Sequence, residues 1–396
     1  MTLRPALRLP PPAFLSDGAL RAVLAALPEA RIVGGAVRDA LAQCPVFDVD
    51  LATPRPPAEV IAALRAAGLK SSPTGIAHGT VTAIAEHRGF EVTTLRRDVA
   101  TDGRRAVVAF TEDFAEDAAR RDFTINAMSM TPDGDVFDYF SGVADLAAGR
   151  VRFVGDATTR IAEDFLRVLR FFRFHARYGH GPPDADAVAA IRAGVPGLAK
   201  LSAERVWSEL KRILAAPDPR GAVALMAQTG VLASVLPEGT MPARLAALLA
   251  SAAPGDPVLR LAALLDGDAA ALAARLRLSL AEADLLMALR AAPALPPAAS
   301  DTDLRRALAD ERKDVLIGRA WLAGSGADLP ERLAALSAPV FGLRGRDLKA
   351  AGVPPGPALG ALLHALRGWW LEGGCVADAP ALRAELARRL ASPPPG

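Results

Sequence analysis

Val33-Gly-Gly-Ala-Val-Arg-Asp39 and, a few residues further on, Val46-Phe-Asp-Val-Asp-Leu51 are the stretches on which the reading of this chain turns. In the first, Arg31-Ile-Val33 has strand character, Gly34-Gly35 interrupts it, and Ala36 to Ala42 opens a helix. The second reads as a strand with carboxylates two positions apart, so Asp48 and Asp50 project from one face while Val49 points to the other. Such a pair suits a hard cation such as Mg²⁺, which takes oxygen ligands, keeps several waters and shares substrate phosphates with one or two carboxylates. Two such ions would activate a 3′-hydroxyl and stabilise a departing pyrophosphate in an in-line transfer. The glycines upstream let backbone N–H groups approach a phosphate, and Arg38 sits one turn into the helix that follows, which together make a triphosphate cradle. The same residues equally describe a solvated strand face and a tight turn with a surface arginine.

Outward from this core, Pro57 to Ala67 has amphipathic helical spacing, and Thr80 to Ala85 and Phe90 to Leu95 read as strands. Alternation puts Glu91, Thr93 and Leu95 on one face. If that strand neighbours 46–51, Glu91 completes an acidic triad; if not, it is an exposed strand glutamate. The first 155 or so residues are therefore mixed α/β. Beyond Asp156 the strand signal stops, and Leu, Ala and Arg recur at helical spacing, broken by Pro and Gly near 181–183, 217–219, 254–257, 294–297 and 353–357. No repeat of fixed period occurs, and the terminal Pro393 to Pro395 is the one low-complexity piece.

A chain of 396 residues is long enough for two to four modules. With 51% apolar and 23% charged residues it has the composition of a folded globular protein. Cys44 and Cys375 are far apart, which excludes a disulfide framework or a thiolate zinc site and suits a reducing, cytoplasmic setting. The proline-rich start has no apolar segment of secretory length, and no apolar run approaches 18 residues, so no membrane association is expected. Net charge is only +2, so a nucleic-acid partner would be held by local basic patches. Lysine occurs only at 70, 200, 211, 313 and 349, and the arginine excess is also what GC-rich coding produces.

Six motifs then occur in order: Gly34-Gly-x-x-Arg38-Asp39, Asp48-x-Asp50-Leu-Ala-Thr53, His78-Gly-Thr80-Val81, Glu91-Val-Thr-Thr-Leu-Arg96, Arg120-Arg-Asp-Phe-Thr-Ile-Asn-Ala127, and the run from Arg160 to Phe174 that contains Glu163-Asp-Phe-Leu-Arg167. Together they resemble the class II tRNA nucleotidyltransferase family, the CCA-adding enzymes and bacterial poly(A) polymerases, strongly over about residues 30–215. The resemblance implies an α/β nucleotidyltransferase head, a mixed β-sheet with helices (1–155), followed by an all-α neck with a base-reading helix (156–215) and an all-α, tRNA-binding body and tail (216–396). It implies Asp48 and Asp50 as Mg²⁺ ligands and catalytic with Glu91, Gly35 and Arg38 as triphosphate contacts, and Arg121 as a nucleotide-binding arginine, with Asp122 and Asn126 supporting near the ribose. Taken alone, Arg121 and Asp122 equally suit a surface pair and Asn126 a cap or turn.

Along a continuous helix from Arg160 to Arg173, Asp164, Arg167, Arg170 and Arg173 recur at intervals of three on a slowly rotating surface. Cytosine and adenine each present an amino donor beside a ring-nitrogen acceptor, so a carboxylate beside a guanidinium, Asp164 with Arg167, reads both bases and mismatches guanine and uracil. Arg170 and Arg173 then stand free for phosphates. A solvated Arg/Glu face over buried Phe171, Phe172 and Phe174 is the bland alternative. Further on, Leu201 to Leu210 resembles the family's next helical motif, with Ser202 as N-cap and Trp207 structural, and Gly345 to Gly352 is similar to a segment of family tails.

Five histidines include no His-Asp dipeptide, so a fused phosphohydrolase is not expected. The polar stretch Arg97 to Asp117 matches the flexible loop that CC-only relatives lack, which implies that A-addition is retained. The expected activity is CCA addition to the 3′ end of tRNA from CTP and ATP without a nucleic-acid template, and no protein partner is implied. Poly(A) addition to RNA 3′ ends, a catalytically silent tRNA-binding protein and a small-molecule nucleotidyltransferase remain as alternatives.

Overall fold

The computed structural model describes residues 4–101 and 106–391. The chain divides into two compact units, Met1–Pro237 and Glu238–Gly396. The first contains an eight-stranded sheet. Its strands are β1 (Leu7–Arg8), β2 (Arg31–Val33), β3 (Asp50–Thr53), β4 (Lys70–Gly75), β5 (Thr80–Ala85), β6 (Arg88–Thr94), β9 (Met128–Met130) and β10 (Asp135–Asp138). Their spatial order is β1-β10-β9-β2-β3-β6-β5-β4, and β3 with β6 is the parallel neighbour pair. A separate hairpin is formed by β7 (Arg96–Thr101) and β8 (Ala106–Phe110).

One face of the sheet is closed by α1 (Gly18–Ala26), whose N-cap Asp17 accepts from Leu20 N at 2.9 Å, and by α3 (Pro57–Ala66), which starts with proline at its first turn. Leu20, Val23 and Leu27 meet Val60, Leu64, Ile32, Leu51, Val81 and Val92 in the main core. On the strand β5 every second residue is buried, the half-buried alternation that the sequence displays. Since Leu51 and Val92 point into this core, the flanking Asp50 and Glu91 fall on the opposite face. A smaller cluster of Val33, Ala52 and Leu95 lies there under Phe114.

The helices of this unit after α2 (Gly35–Leu41) and α3 are α4 (Phe114–Ala119), α5 (Gly142–Ala147), α6 (Ala157–Glu163), α7 (Leu166–Tyr178), α8 (Ala185–Gly194), α9 (Ala203–Leu214), α10 (Arg220–Gln228) and α11 (Val231–Val235). Phe171 and Phe174 of α7 pack with Phe123 and Phe153, with ring centroids 4.8 to 6.3 Å apart, an anchor worth more than its buried area alone. The regular elements of the second unit's described residues are helices, from Pro242–Ala250 to Ala379–Ala391, beside one isolated bridge between Thr240 and Leu265. There Arg305 and Arg306 donate to the carbonyls of Gly374, Leu371 and Glu372, covering the exposed C-terminal end of helix Pro357–Glu372.

Three expectations change. The strand read over 46–51 runs from Asp50 to Thr53, because Val33 opposite Asp50 is the last residue of β2 and no ladder partner exists further upstream. The helix read as continuous from Arg160 to Arg173 is broken at Asp164 and Phe165, where Asp164 is extended (φ −156°, ψ 107°). The stretch read as a loop over 97–117 is largely the β7–β8 hairpin and the start of α4; its residues 102–105, like the Pro393–Pro395 tail, lie outside the described residues.

Candidate active site

Sheet register brings the head motifs together. Asp50 pairs with Val33, the residue before Gly34, and the parallel β3–β6 ladder, Leu51 beside Val92, sets Glu91 next to Asp50. The Gly34–Gly35 turn and Asp50 thus meet at the end of β2 and the start of β3, with Glu91 midway along β6 beside Asp50. Of the carboxylates Asp48, Asp50 and Glu91, Asp50 lines the cavity of the site, and Asp48 and Glu91 are not among its lining residues. Asp48 lies just before β3 and is exposed. Enclosure by surrounding atoms pushes the Asp50 carboxyl above the ordinary carboxylate range; the nearby charges of Glu91 and Asp48 push the same way and Arg121 opposes them. A cation there would relieve this concentration of negative charge. Among the described residues no three acidic, histidine or cysteine side chains converge as a preformed cage, so the donor set fits an ion completed by water and phosphate oxygens.

Gly34 takes φ +67°, and a Cβ there would lie 2.8 Å from Arg121 Nη1. Only glycine meets both demands at this turn. Arg38, one turn into α2, is nearly buried: its Nη1 donates to Asn126 Oδ1 at 2.6 Å, and its Nε and Nη2 reach Asp39 Oδ1 at 3.0 and 2.9 Å. Asn126 in turn donates to Asp122 Oδ1 at 3.0 Å, and Asp122 Oδ2 accepts from Arg170 Nε at 2.6 Å. Burial opposes the charge on Asp122, but Arg170 and these donors hold its carboxyl below the usual range; Arg170 is held above its own in spite of burial.

These groups and the start of α7 line one cavity of about 500 Å³. Gly34, Gly35, Arg38, Asp50, Arg121, Asp164, Arg167, Arg170 and Arg173 all face it, together with Asp122, Asn126, Arg120 and Arg205. The break after α6 serves Asp164: its Oδ1 accepts from Leu166 N at 3.0 Å, capping the start of α7, and its Oδ2 accepts from Arg205 Nη2 at 2.7 Å. Arg167 is held through Nη1 by the Arg160 carbonyl at 2.8 Å and by Glu163. The expectation that Arg170 and Arg173 stand free is not met. Arg170 pairs with Asp122, and Arg173 donates to Glu209 Oε1 at 3.0 Å, with burial pushing it down to about 10, still cationic at neutral pH.

Sequence reading missed four members of this set. Asp117 on α4, buried, accepts from Arg120 Nη2 at 2.7 Å and from Arg121 Nη2 at 3.1 Å, fixing the orientation of both. Arg205 and Glu209 come from α9, where the Ser202 N-cap makes no side-chain cap bond. Glu163 pairs with Arg167 at i,i+4, a spacing that the sequence does display.

Comparison with known proteins follows the same outline. Residues 30–152 match the Poly A polymerase head domain, and residues 183–241 match the probable RNA and SrmB-binding site of polymerase A. The CCA tRNA nucleotidyltransferase 1, mitochondrial, of Mus musculus is 38% identical over 371 residues, which span 87% of this chain and 83% of that one. This chain belongs to the CCA-adding tRNA nucleotidyltransferase family. Another member, the CCA-adding enzyme of Leuconostoc citreum, is 44% identical over 188 residues, 47% of this chain and 45% of its own. The family fold is also that of the Bacillus stearothermophilus CCA-adding enzyme solved in complex with CTP, with a TM-score of 0.73 at 26% identity over 95% of this chain and 98% of that one. In this member of the CCA-adding family, no described helix is long and apolar enough to cross a membrane.

Proposed function

We propose that this enzyme completes the 3′ end of tRNA by adding C, C and A from CTP and ATP without a nucleic-acid template, releasing pyrophosphate at each step. The observation that carries the reading is the single cavity in which a strand-borne carboxylate, a glycine turn with Arg38, and the Asp164–Arg167 pair face one another. One end suits a triphosphate and the other a base edge, at a distance set by the protein itself.

In this reading Asp48 and Asp50, with Glu91 beside them, hold divalent metal, with Mg²⁺ the expected ion. Bound there, it would lower the pKa of the attacking 3′-hydroxyl and share the charge of the transferred phosphoryl group. Gly35 and Arg38 hold the triphosphate, and Arg121, braced by Asp117, adds a second guanidinium. Asp164 accepts from the exocyclic amine of cytosine or adenine, and Arg167 donates to the ring nitrogen beside it. Its hydrogen bonds to the Arg160 carbonyl and to Glu163 both use Nη1, which leaves the Nε and Nη2 edge to face a base. The amine must compete with Arg205 for Asp164. This exchange is inexpensive because both side chains are partly exposed. Guanine and uracil place a carbonyl oxygen where cytosine and adenine place that amine, and a ring N–H where these place an acceptor, so both Asp164 and Arg167 meet the wrong partner, which is the source of discrimination. Arg170 and Arg173 reach phosphate only by sharing their carboxylate partners, so their part is chiefly to shape the wall.

We assign residues 1–155 to the catalytic head, 156–215 to the neck and 216–396 to a tRNA-binding body and tail, and we place the enzyme in the cytoplasm on its two free cysteines. The deciding assay supplies purified protein with Mg²⁺, single labelled nucleotides and tRNA transcripts that end before CCA, at CC, or complete. Two additions from CTP and one from ATP, then arrest, are expected. An A ladder on any RNA would instead make it a poly(A) polymerase, and binding without addition a silent tRNA-binding protein.

A further inference from the structure

Arg38 is fixed more completely than a phosphate-binding arginine on a seven-residue helix would be by its own helix. Two acceptors take three of its nitrogens, Asn126 Oδ1 on Nη1 and Asp39 Oδ1 on Nε and Nη2. Two rings cover its guanidinium, Phe174 at 5.1 Å and Tyr178 at 4.6 Å from the ring centroids. The bond to Asp39 is the unexpected one. Neighbouring residues on a helix diverge by about 100° and do not face each other, so a carboxylate at position 39 turns onto the guanidinium at 38 only if something outside the helix draws it there. That group is the Tyr178 hydroxyl, which donates to the same Oδ1 of Asp39. Tyr178 is the last residue of α7, the helix that carries Arg167.

We infer that Tyr178, through its hydroxyl on Asp39, is a positioning residue for Arg38 and so for the triphosphate of the incoming nucleotide. The inference rests on the assignment of Arg38 to the triphosphate made above. It ties the triphosphate-binding arginine to the base-reading helix through one phenol, so a nucleotide held at both ends meets two halves of the site already in register. Burial pushes the phenol up to about 12, and its bond to Asp39 adds to this, so the hydroxyl remains a donor throughout the neutral range.

Tyr178→Phe removes the hydroxyl and keeps the ring over Arg38. In the full-length enzyme, KM for CTP and for ATP should rise by the same factor, about five- to tenfold. The inhibition constant of inorganic triphosphate should rise by that factor too, while kcat changes less than KM and discrimination against UTP is unchanged. Asp39→Asn, which keeps an acceptor oxygen but not its charge, should move KM and the triphosphate constant in the same direction. A Tyr178→Phe enzyme with a lowered Tm and an unchanged triphosphate constant would show that the residue only packs, and would overturn the inference. Arg38→Met separates the two levels. If it weakens triphosphate inhibition and Tyr178→Phe does not, only the positioning role falls; if Arg38→Met has no effect either, the assignment of Arg38 falls with it.

Discussion

Removing the Asp122 carboxylate should destabilise the first unit by an amount that the surroundings set. Asp122 is 7% exposed and satisfies four donors: Arg170 through Nε and Nη2, Asn126 Nδ2 and Phe123 N. Asp122→Ala leaves the Arg170 guanidinium without its counter-charge and two further donors without an acceptor. Breaking a buried ion pair from one side costs about 3–5 kcal/mol. The Arg170 side chain is 32% exposed, so water recovers part of this, and about 3 kcal/mol is expected. For a unit of this size that corresponds to a fall in Tm of about 6–12 °C at pH 7. The folded-state pKa of Asp122 is depressed, so its contribution is present above the unfolded carboxylate value and is lost as pH falls through the folded one. The gap in Tm between wild type and Asp122→Ala should therefore hold from pH 8 to about 5 and narrow only below about 4. Arg170→Met should recover much of the loss in the double variant, since no unpaired charge remains. Melting followed by circular dichroism across this pH range measures all of these. A variant that melts within about 2 °C of wild type at pH 7, or a double variant that is simply additive, would refute the reasoning.

Asp48→Ala should reduce nucleotide addition on the order of 10³-fold while tRNA affinity, dominated by basic contacts to phosphate, stays within about twofold by gel shift; substantial residual turnover would remove Asp48 from the metal site. Asp164→Ala should relax discrimination against UTP by about 10²-fold in single-turnover incorporation, and unchanged discrimination would count against readout by the protein. Gly34→Ala must hold a Cβ at φ +67° and displace Arg121 Nη1 from 2.8 Å, which costs about 1–2 kcal/mol of stability. Its KM for both nucleotides should rise about tenfold, and steady-state kinetics with an unchanged KM would show that Arg121 is not held for the substrate.

The sheet was legible where local preference and tertiary need agree. Arg31–Val33, Thr80–Ala85 and Pro57–Ala66 fall where alternation, β-branching and an opening proline place them. Lys70–Gly75 was not, because Ser-Ser-Pro-Thr has little strand preference; it is the terminal strand of the order, where a proline without an N–H is tolerated. The hairpin Arg96–Thr101 with Ala106–Phe110 was not legible either, because Arg96, Arg97 and Asp98 break the pattern of its first strand and the apolar Ala106–Phe110 lies within a stretch that reads as one polar loop; the pair forms a sheet of its own.

Within the site, the chain positions were legible but their partners were not. Motif order named Asp50, Arg38, Arg121 and Asp164, and the fold does bring them to one cavity. What it adds are acidic partners that spacing alone does not disclose, Asp122 for Arg170 across 48 residues and Glu209 for Arg173 across 36. The break at Asp164 has the same origin. Nothing from Arg160 to Arg173 is a glycine or proline, and local propensity alone would run one helix through it. The extended Asp164 is maintained by two bonds that an uninterrupted helix would not offer, its own cap on Leu166 N and the guanidinium of Arg205 41 residues away. A straight helix would leave Asp164 one of several charges on a rotating surface. The break instead directs its carboxylate into the cavity beside Arg167, and the two side chains are held by different partners, Arg205 for Asp164 and the Arg160 carbonyl with Glu163 for Arg167, so that the halves of the proposed base-reading pair can be altered one at a time.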